Sequence, residues 1–282
     1  MIVKIKDDFD LRKIVDSGQC FRAKEMENNL FRFSTKKYVL YIKQLDEITF
    51  DVSCSQVEWD DTWTNYFDLE TNYSDIRESI YHFADRSRCG DYLKVAADFS
   101  KGIRILRQEP FETLISFIIS QRKTIPAIRK SVELICEQFG RIVKTDYEES
   151  VRLFPTPEQL SKATILHLSN CALGYRGAYV RDAIEKVFER IVRLDEFRKT
   201  PDDDMLLELQ QVKGVGVKVA NCVALYAYHR LNLVPVDVWI KRAIQEDFHG
   251  ENVFLEFGRH AGVLQQYIFY YKRLGEKNFT FD

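Results

Sequence analysis

No stretch of this sequence approaches the roughly 18 uninterrupted apolar residues of a membrane-spanning helix. The first residues, MIVKIKDDFDLRK, also lack the apolar centre and small-residue cleavage site of a secretory signal, so a cytoplasmic location is expected. Cysteine is sparse and scattered. Cys20, Cys54, Cys89, Cys136, Cys171 and Cys222 lie more than thirty residues apart, with no C-x-x-C and no His-x-His arrangement. Neither a zinc site nor an iron–sulfur cluster has ligands at workable spacing, no metal ligand is assigned, and reduced, mostly buried thiols are expected. Glycine and proline total only 12 and 6 residues, and no low-complexity linker or internal repeat is present.

What is present is ample core material, 45% apolar and 13% aromatic over 282 residues, enough for one large core or two modest ones. The net charge of −2 argues weakly against a polyanionic partner when averaged over the chain, but the charge is unevenly placed. Asp46 to Asp75 holds nine acidic residues and no basic one, whereas Lys213 to Arg242 holds five basic residues and one acidic. Lys101 to Lys130 is basic as well. A chain with one repelling end and one basic face can still dock a phosphate backbone.

Organisation changes near residue 100. Before it, FRFSTKKYVLYIKQ and EITFDVS alternate with period two in β-branched and aromatic residues, which predicts antiparallel strands with one solvated face. After it the period is helical. FETLISFIIS is apolar nearly all round, and Ile128, Val132, Ile135, Cys136 and Phe139 share a face before Gly140 ends the helix. Further helices are expected at about 158–170, 176–194, 202–212, 217–229, 238–249 and 258–274. The expected fold is α+β: a small antiparallel β-sheet domain over 1–100, then a larger all-helical domain over 101–282.

Within the helical part, Asp202, Asp203 and Asp204 favour a helix start, and Gly214-Val215-Gly216 lets the backbone reverse before VKVANCVALYAY. This predicts a helix-hairpin-helix over about 202–229. Its reversal presents unpaired N–H groups at a helix N-terminus, a seat for one phosphate that reads no base. Taken alone, a G-x-G between helices is more often a structural αα-corner than a phosphate seat. Lys218 lies at the second position of the following helix, on a face with Cys222, Leu225 and His229. A lone lysine there is ordinarily a solvated or phosphate-pairing cation. Asp237 follows the extended Val234-Pro235-Val236 and precedes VWIKRAIQEDF, which makes it a helix N-cap. Capping alone explains it locally, and a helix folded back on the hairpin would also turn its carboxylate toward Lys218.

The stretch KGVGVKVAN…VPVDV resembles the helix-hairpin-helix, Gly/Pro-rich, aspartate signature of the base-excision DNA glycosylases. SGQCFR (17–22), LGYRGAYV (173–180) and AGVLQQYIF (261–269) narrow the likeness to the 8-oxoguanine DNA glycosylase/AP lyase family, over nearly the whole chain. The resemblance implies a bifunctional enzyme that excises 8-oxoguanine from duplex DNA. Lys218 would be the nucleophile that attacks the sugar C1′, forming a Schiff base whose β-elimination nicks the strand, and that chemistry requires a neutral amine. Asp237 would stabilise positive charge developing on the sugar. The nucleotide must be everted, and Tyr175 and Arg176 at a loop tip would fill the vacated space. Oxidation turns guanine N7 into a donor, which the Gly18 carbonyl could accept. Phe269 and Cys222 would cover the two faces of the base, and Gln265 would read its Watson–Crick edge. Gly214, Gly216, Lys213 and Trp239 would lie against the DNA backbone.

Several residues depart from the family pattern. An asparagine-rich wedge is replaced by SQRKTIP (120–126), with Arg122 and Lys123 in those places, and a contact arginine is replaced by Ala127. Lys213 stands for a proline, Trp239 for a histidine, and Tyr226 occupies a variable pocket position. These changes bear on lesion and opposite-base selectivity more than on catalysis. Two other readings stay open: a glycosylase for another damaged base, and a non-enzymatic helix-hairpin-helix DNA-binding protein. The expected partner is double-stranded DNA containing oxidised guanine, met by a monomer that is nucleoid-associated if bacterial. No cofactor is required, although a hairpin of this kind can hold a monovalent cation through its turn carbonyls.

Overall fold

The computed structural model describes residues 1–145, 147 and 149–275. Five strands, β1 (Ile2–Lys4), β2 (Lys24–Glu25), β3 (Leu30–Ser34), β4 (Val39–Gln44) and β5 (Thr49–Val52), form one antiparallel sheet in the order β1-β5-β4-β3-β2. The short helix α1 (Leu11–Asp16) connects β1 to β2. Phe31 pairs with Ile42, Phe33 with Leu40 and Ile42 with Val52, so the period-two pattern puts all five side chains on one buried face. Aromatic residues from the next segment cover that face. Helices α2 (Gln56–Glu58) and α3 (Thr64–Tyr66), joined by a π-helical turn over Trp59–Trp63, bring Trp59, Trp63, Tyr66 and Phe67 into the same cluster. The Phe67 ring meets Phe33 edge-on with centroids 5.0 Å apart.

The strands end well before the expected change near residue 100. Helices α4 (Tyr73–Ala84) and α5 (Gly90–Phe99) lie in the acidic stretch and just beyond it, and they bury Ile76, Ile80, Leu93 and Ala96 in the large helical core. Tyr73, Ile76, Ile80 and Ala84 are spaced by 3, 4 and 4 residues, an amphipathic period that the acidic surface positions obscure in the sequence. The rest of that core comes from α6 (Pro110–Ser120), α7 (Ile125–Phe139), α8 (Pro157–Ser161), α9 (Ile165–Ser169), α10 (Arg176–Phe188), α11 (Asp202–Leu209), α12 (Val217–Tyr228), α13 (Val238–Arg242), α14 (Val253–Phe257) and α15 (Ala261–Tyr270).

Several expected helices are shorter than the apolar period suggests. The span 158–170 is two helices, because Thr156 and Thr164 each cap a separate start, with Gln159 and His167 completing the boxes. The span 176–194 stops at Phe188, two residues before Arg190 turns left-handed at φ 58°. π-Helical turns over Ala243–Asp247 and Tyr271–Gly275 continue α13 and α15. The helical part also holds a two-stranded ribbon, β6 (Ile142–Lys144) and β7 (Ser150–Arg152), so it is mostly rather than wholly helical. The end of the expected helical part, 276–282, lies outside the described residues. Among the described residues no helix is long and apolar enough to cross a membrane. All six cysteines are free thiols, five of them buried.

A polar network joins the sheet layer to the helices. The fully buried Arg104 guanidinium donates to the carbonyls of Phe67, Asp8, Asp68 and Thr71 and pairs with Asp7 at 2.8 Å. The buried Asp68 carboxylate accepts from Tyr73 Oη (2.9 Å), Thr71 Oγ1 (3.0 Å) and Arg107 (2.7 Å), and meets His229 Nε2 at 2.7 Å. Burial alone would raise the Asp68 pKa, but His229 and Arg107 together bring it below the ordinary aspartate value. A depressed carboxylate stabilises the fold above the unfolded-state pKa, and this contribution is lost as pH falls through the folded-state value. Asp68→Ala is expected to lower unfolding free energy by about 3–5 kcal/mol, because it strands buried charges. Urea unfolding at neutral pH and near pH 3 checks this, with a smaller difference between wild type and variant in acid.

Candidate active site

The hairpin is built as the sequence predicts, but its two glycines act differently. Gly214 has φ +78°, and a Cβ there would lie 2.3 Å from the Tyr179 ring, so both backbone angle and space demand glycine. Gly216 is extended, and nothing lies within 4 Å of where its Cβ would be. It caps α12 with no side-chain hydrogen bond, leaving the first-turn N–H groups open outward. Lys213 is 72% exposed in its side chain, its backbone N–H donates to Asp182 at 2.8 Å, and its ammonium lies 3.7 Å from the same carboxylate.

Lys218 projects half-buried from the start of α12, with its ammonium 5.3 Å from the centre of the Phe117 ring. Phe117 stacks in turn on Tyr226, centroids 5.3 Å apart and planes at 14°. Burial pushes the Cys222 thiol up, and the neighbouring Lys218 ammonium opposes that shift. Asp237 caps α13 as expected, one carboxylate oxygen accepting from the N–H groups of Trp239 (3.0 Å) and Ile240 (2.9 Å). Its charge interacts with Lys218 without a contact ion pair forming among the described residues. Burial outweighs both amides and the Lys218 charge, so the Asp237 pKa is raised rather than lowered.

The Gly18 turn packs against α15. Gly18 has φ +78°, and a Cβ there would lie 3.2 Å from Phe269 and 3.3 Å from Ile125. Among the described residues its carbonyl accepts no hydrogen bond. Gln265 is 3% exposed, and its side-chain oxygen is buried without a partner among the described residues. Such an acceptor is costly to leave empty and points to a ligand donor. The neighbouring Gln266 was not anticipated from sequence. It accepts from Tyr226 Oη at 2.5 Å and donates to the Ser17 carbonyl at 2.8 Å, tying α12 and α15 to the Gly18 turn. Both glutamines are buried in QQYIF, so burial gives no sign of which one reaches the turn.

The loop residues divide. Arg122 is exposed with φ 50°, a left-handed conformation that non-glycine residues seldom adopt. Lys123, expected beside it, is held internally by Ser131 Oγ and the Ala172 carbonyl (2.8 Å). Tyr175 is 54% exposed and lies edge-on to Tyr179, centroids 5.8 Å apart. Arg176 is not at the tip: it is buried, and its guanidinium clamps the carbonyls of Gln121, Arg122 and Leu173. Its position after Gly174 concealed this, because only the folded chain brings the 121–122 turn within reach. Trp239 is half-buried, with Arg242 5.4 Å from its ring centre. Tyr179, between Gly214 and Tyr175, was also missed.

A two-layer α+β chain carrying a helix-hairpin-helix, with a lysine and a capping aspartate in electrostatic contact at its mouth, defines the helix-hairpin-helix glycosylase class. Comparison with known proteins agrees. The pattern of the 8-oxoguanine DNA glycosylase N-terminal domain matches residues 1–114. A probable N-glycosylase/DNA lyase of Methanothermobacter thermautotrophicus is 30% identical, over 73% of this chain and 72% of that one. The N-glycosylase/DNA lyase of Saccharomyces cerevisiae is 29% identical over 86% of this chain and 69% of that one. The Clostridium acetobutylicum 8-oxoguanine glycosylase/lyase, solved with duplex DNA containing cytosine opposite the lesion, superposes with a TM-score of 0.88 at 31% identity, covering 99% and 98% of the two chains. The chain belongs to the 8-oxoguanine DNA glycosylase family.

Because burial raises Asp237 and Lys218 opposes that rise, the Asp237 carboxyl should titrate above the roughly 3.9 of an unperturbed aspartate. It should titrate higher still in Lys218→Gln. Carboxyl-selective NMR titration of the two proteins without DNA reads both midpoints.

Proposed function

We propose that this protein is a DNA glycosylase and AP lyase that removes 8-oxoguanine from duplex DNA. The observation that carries the reading is the Lys218–Asp237 pair at the head of the hairpin, together with a Gly18 carbonyl and a buried Gln265 oxygen that have no hydrogen-bond partner among the described residues. The first-turn N–H groups behind Gly216 would receive a phosphate of the damaged strand, and the open space at Gly216 lets that phosphate approach the backbone closely. The nucleotide would be everted between the Gly18 turn and α15. There the Gly18 carbonyl would accept the N7 proton that only the oxidised base carries, and Gln265 would meet the Watson–Crick edge. Phe269 would cover one face of the base, with Cys222 toward the other.

The Lys218 amine, once neutral, attacks C1′ as the glycosidic bond breaks and the base leaves with the bonding pair. Asp237 stabilises the positive charge that builds on the sugar, held beside C1′ by the two amides that cap α13. Opening of the sugar ring gives a protonated Schiff base, and loss of a C2′ proton expels the 3′ phosphate. No metal or redox partner enters this sequence. A monovalent cation at the hairpin carbonyls would assist phosphate docking only.

With Lys123 and Arg176 engaged inside the protein, contact with the strand opposite the lesion falls to Arg122 and Tyr175. A guanidinium donates to acceptors that several bases share, which favours tolerance over strict pairing with cytosine.

Incubation with 8-oxoguanine duplex and borohydride should yield a covalent adduct that disappears in Lys218→Gln and persists, formed more slowly, in Asp237→Asn. An adduct on another lesion alone would reassign the substrate, and none on any lesion would leave a DNA-binding protein. Arg122→Ala should alter excision rates differently for the four opposite bases, by up to about tenfold, with cleavage of a single-stranded abasic site less affected.

A further inference from the structure

The backbone through the Gly18 turn is saturated with donors, with one exception. The Ile14 carbonyl accepts from Ser17 Oγ at 2.7 Å, Val15 from Arg129 at 2.9 Å, Asp16 from Arg273, Ser17 from Gln266 at 2.8 Å, and Gln19 from Gln108 at 2.9 Å. Gly18 alone in the run from 14 to 19 has none among the described residues. Helix α1 is six residues long and could not by itself hold its last carbonyls in place. Two of the donors are arginines from distant elements, Arg129 on α7 and Arg273 in the turn after α15. Among the described residues each leaves its Nε buried without a partner, which is an expensive way to cap a short helix. Arg273 also lies 5.2 Å from the centre of the Phe269 ring, and a Cβ on Gly18 would be 3.6 Å from its guanidinium. One side chain therefore lies against both the Gly18 turn and the Phe269 ring.

We infer that Arg129 and Arg273 are positioning residues that fix the free Gly18 carbonyl, and that Arg273 sets its spacing from the Phe269 platform. Discrimination by a single acceptor requires that its oxygen hold still: a turn able to rotate its peptide would present an N–H or a carbonyl and accept oxidised or ordinary guanine alike. Gripping consecutive carbonyls on the turn's entry side removes that freedom. This rests on the pocket reading above, and it assigns function to two residues that the reading itself leaves unused.

The test compares excision of 8-oxoguanine with cleavage at a pre-formed abasic site, which has no base to seat, for wild type, Arg129→Leu, Arg273→Leu and Arg273→Lys. In the leucine variants, kcat/KM on the 8-oxoguanine duplex should fall about tenfold more than on the abasic duplex. The ratio of oxidised to ordinary guanine excised should fall with it. Arg273→Lys, which can still donate to the Asp16 carbonyl, should regain most of the selectivity. Equal losses on the two substrates, or unchanged selectivity in both leucine variants, would overturn the inference. Wild-type protein that leaves 8-oxoguanine uncut would instead overturn the functional reading itself, and that outcome is read before any variant is made.

Discussion

The buried Asp68 carboxylate is the point on which the two layers of the molecule depend. Its partners come from three separate places: Thr71 and Tyr73 at the start of α4, Arg107 before α6, and His229 at the end of α12. Arg104 completes the junction by donating to the Asp68 carbonyl. A charge with so little water must be met on every side, so these segments cannot shift independently. His229 itself sits at φ 57°, a conformation that costs an ordinary residue roughly 1–2 kcal/mol, and its bond to Asp68 offsets that strain. Because α12 is a rigid rod about 18 Å long, anchoring its C-terminus also fixes the end that carries Lys218. The acidic stretch thus contributes the carboxylate that fixes the helix carrying Lys218.

The same principle of satisfying polar groups shapes the Gly18 turn and its surroundings. Tyr226, Gln266 and the Ser17 carbonyl form one chain of hydrogen bonds from the hairpin helix to the Gly18 turn. Arg176 and Lys123 hold together the loops beneath Tyr175 and Arg122. What these bonds leave unfilled is as informative as what they fill. Among the described residues the Gly18 carbonyl and the buried Gln265 oxygen remain without a donor. Pocket and scaffold are therefore distinguished by hydrogen-bond completion more clearly than by residue type.

Charge is managed locally too. The Lys218 ammonium interacts with a carboxylate that burial makes reluctant to ionise, while Lys213 at the hairpin is partly neutralised by Asp182. Such partial compensation limits non-specific affinity for a polyanion, which each added uncompensated cation would raise.

By itself the sequence determined the elements whose signals are local. Alternation in FRFSTKKYVLYIKQ specified strands, Gly214 specified the reversal, and Asp237 after Val-Pro-Val specified a cap, because each depends on backbone preferences within a few residues. The family likeness carried the fold and the candidate lysine further than periodicity could. Only the tertiary structure decided which polar side chains face inward. Arg176 and Tyr175 are adjacent in sequence and read as one exposed pair, yet one clamps a turn some 54 residues away and the other meets solvent. Gln265 and Gln266 are likewise indistinguishable until α15 packs: one then completes a hydrogen-bond chain and the other is left with an open oxygen. Hydrogen bonds between distant segments have no period and leave no trace in neighbouring residues, so their partners exist only once the chain has folded.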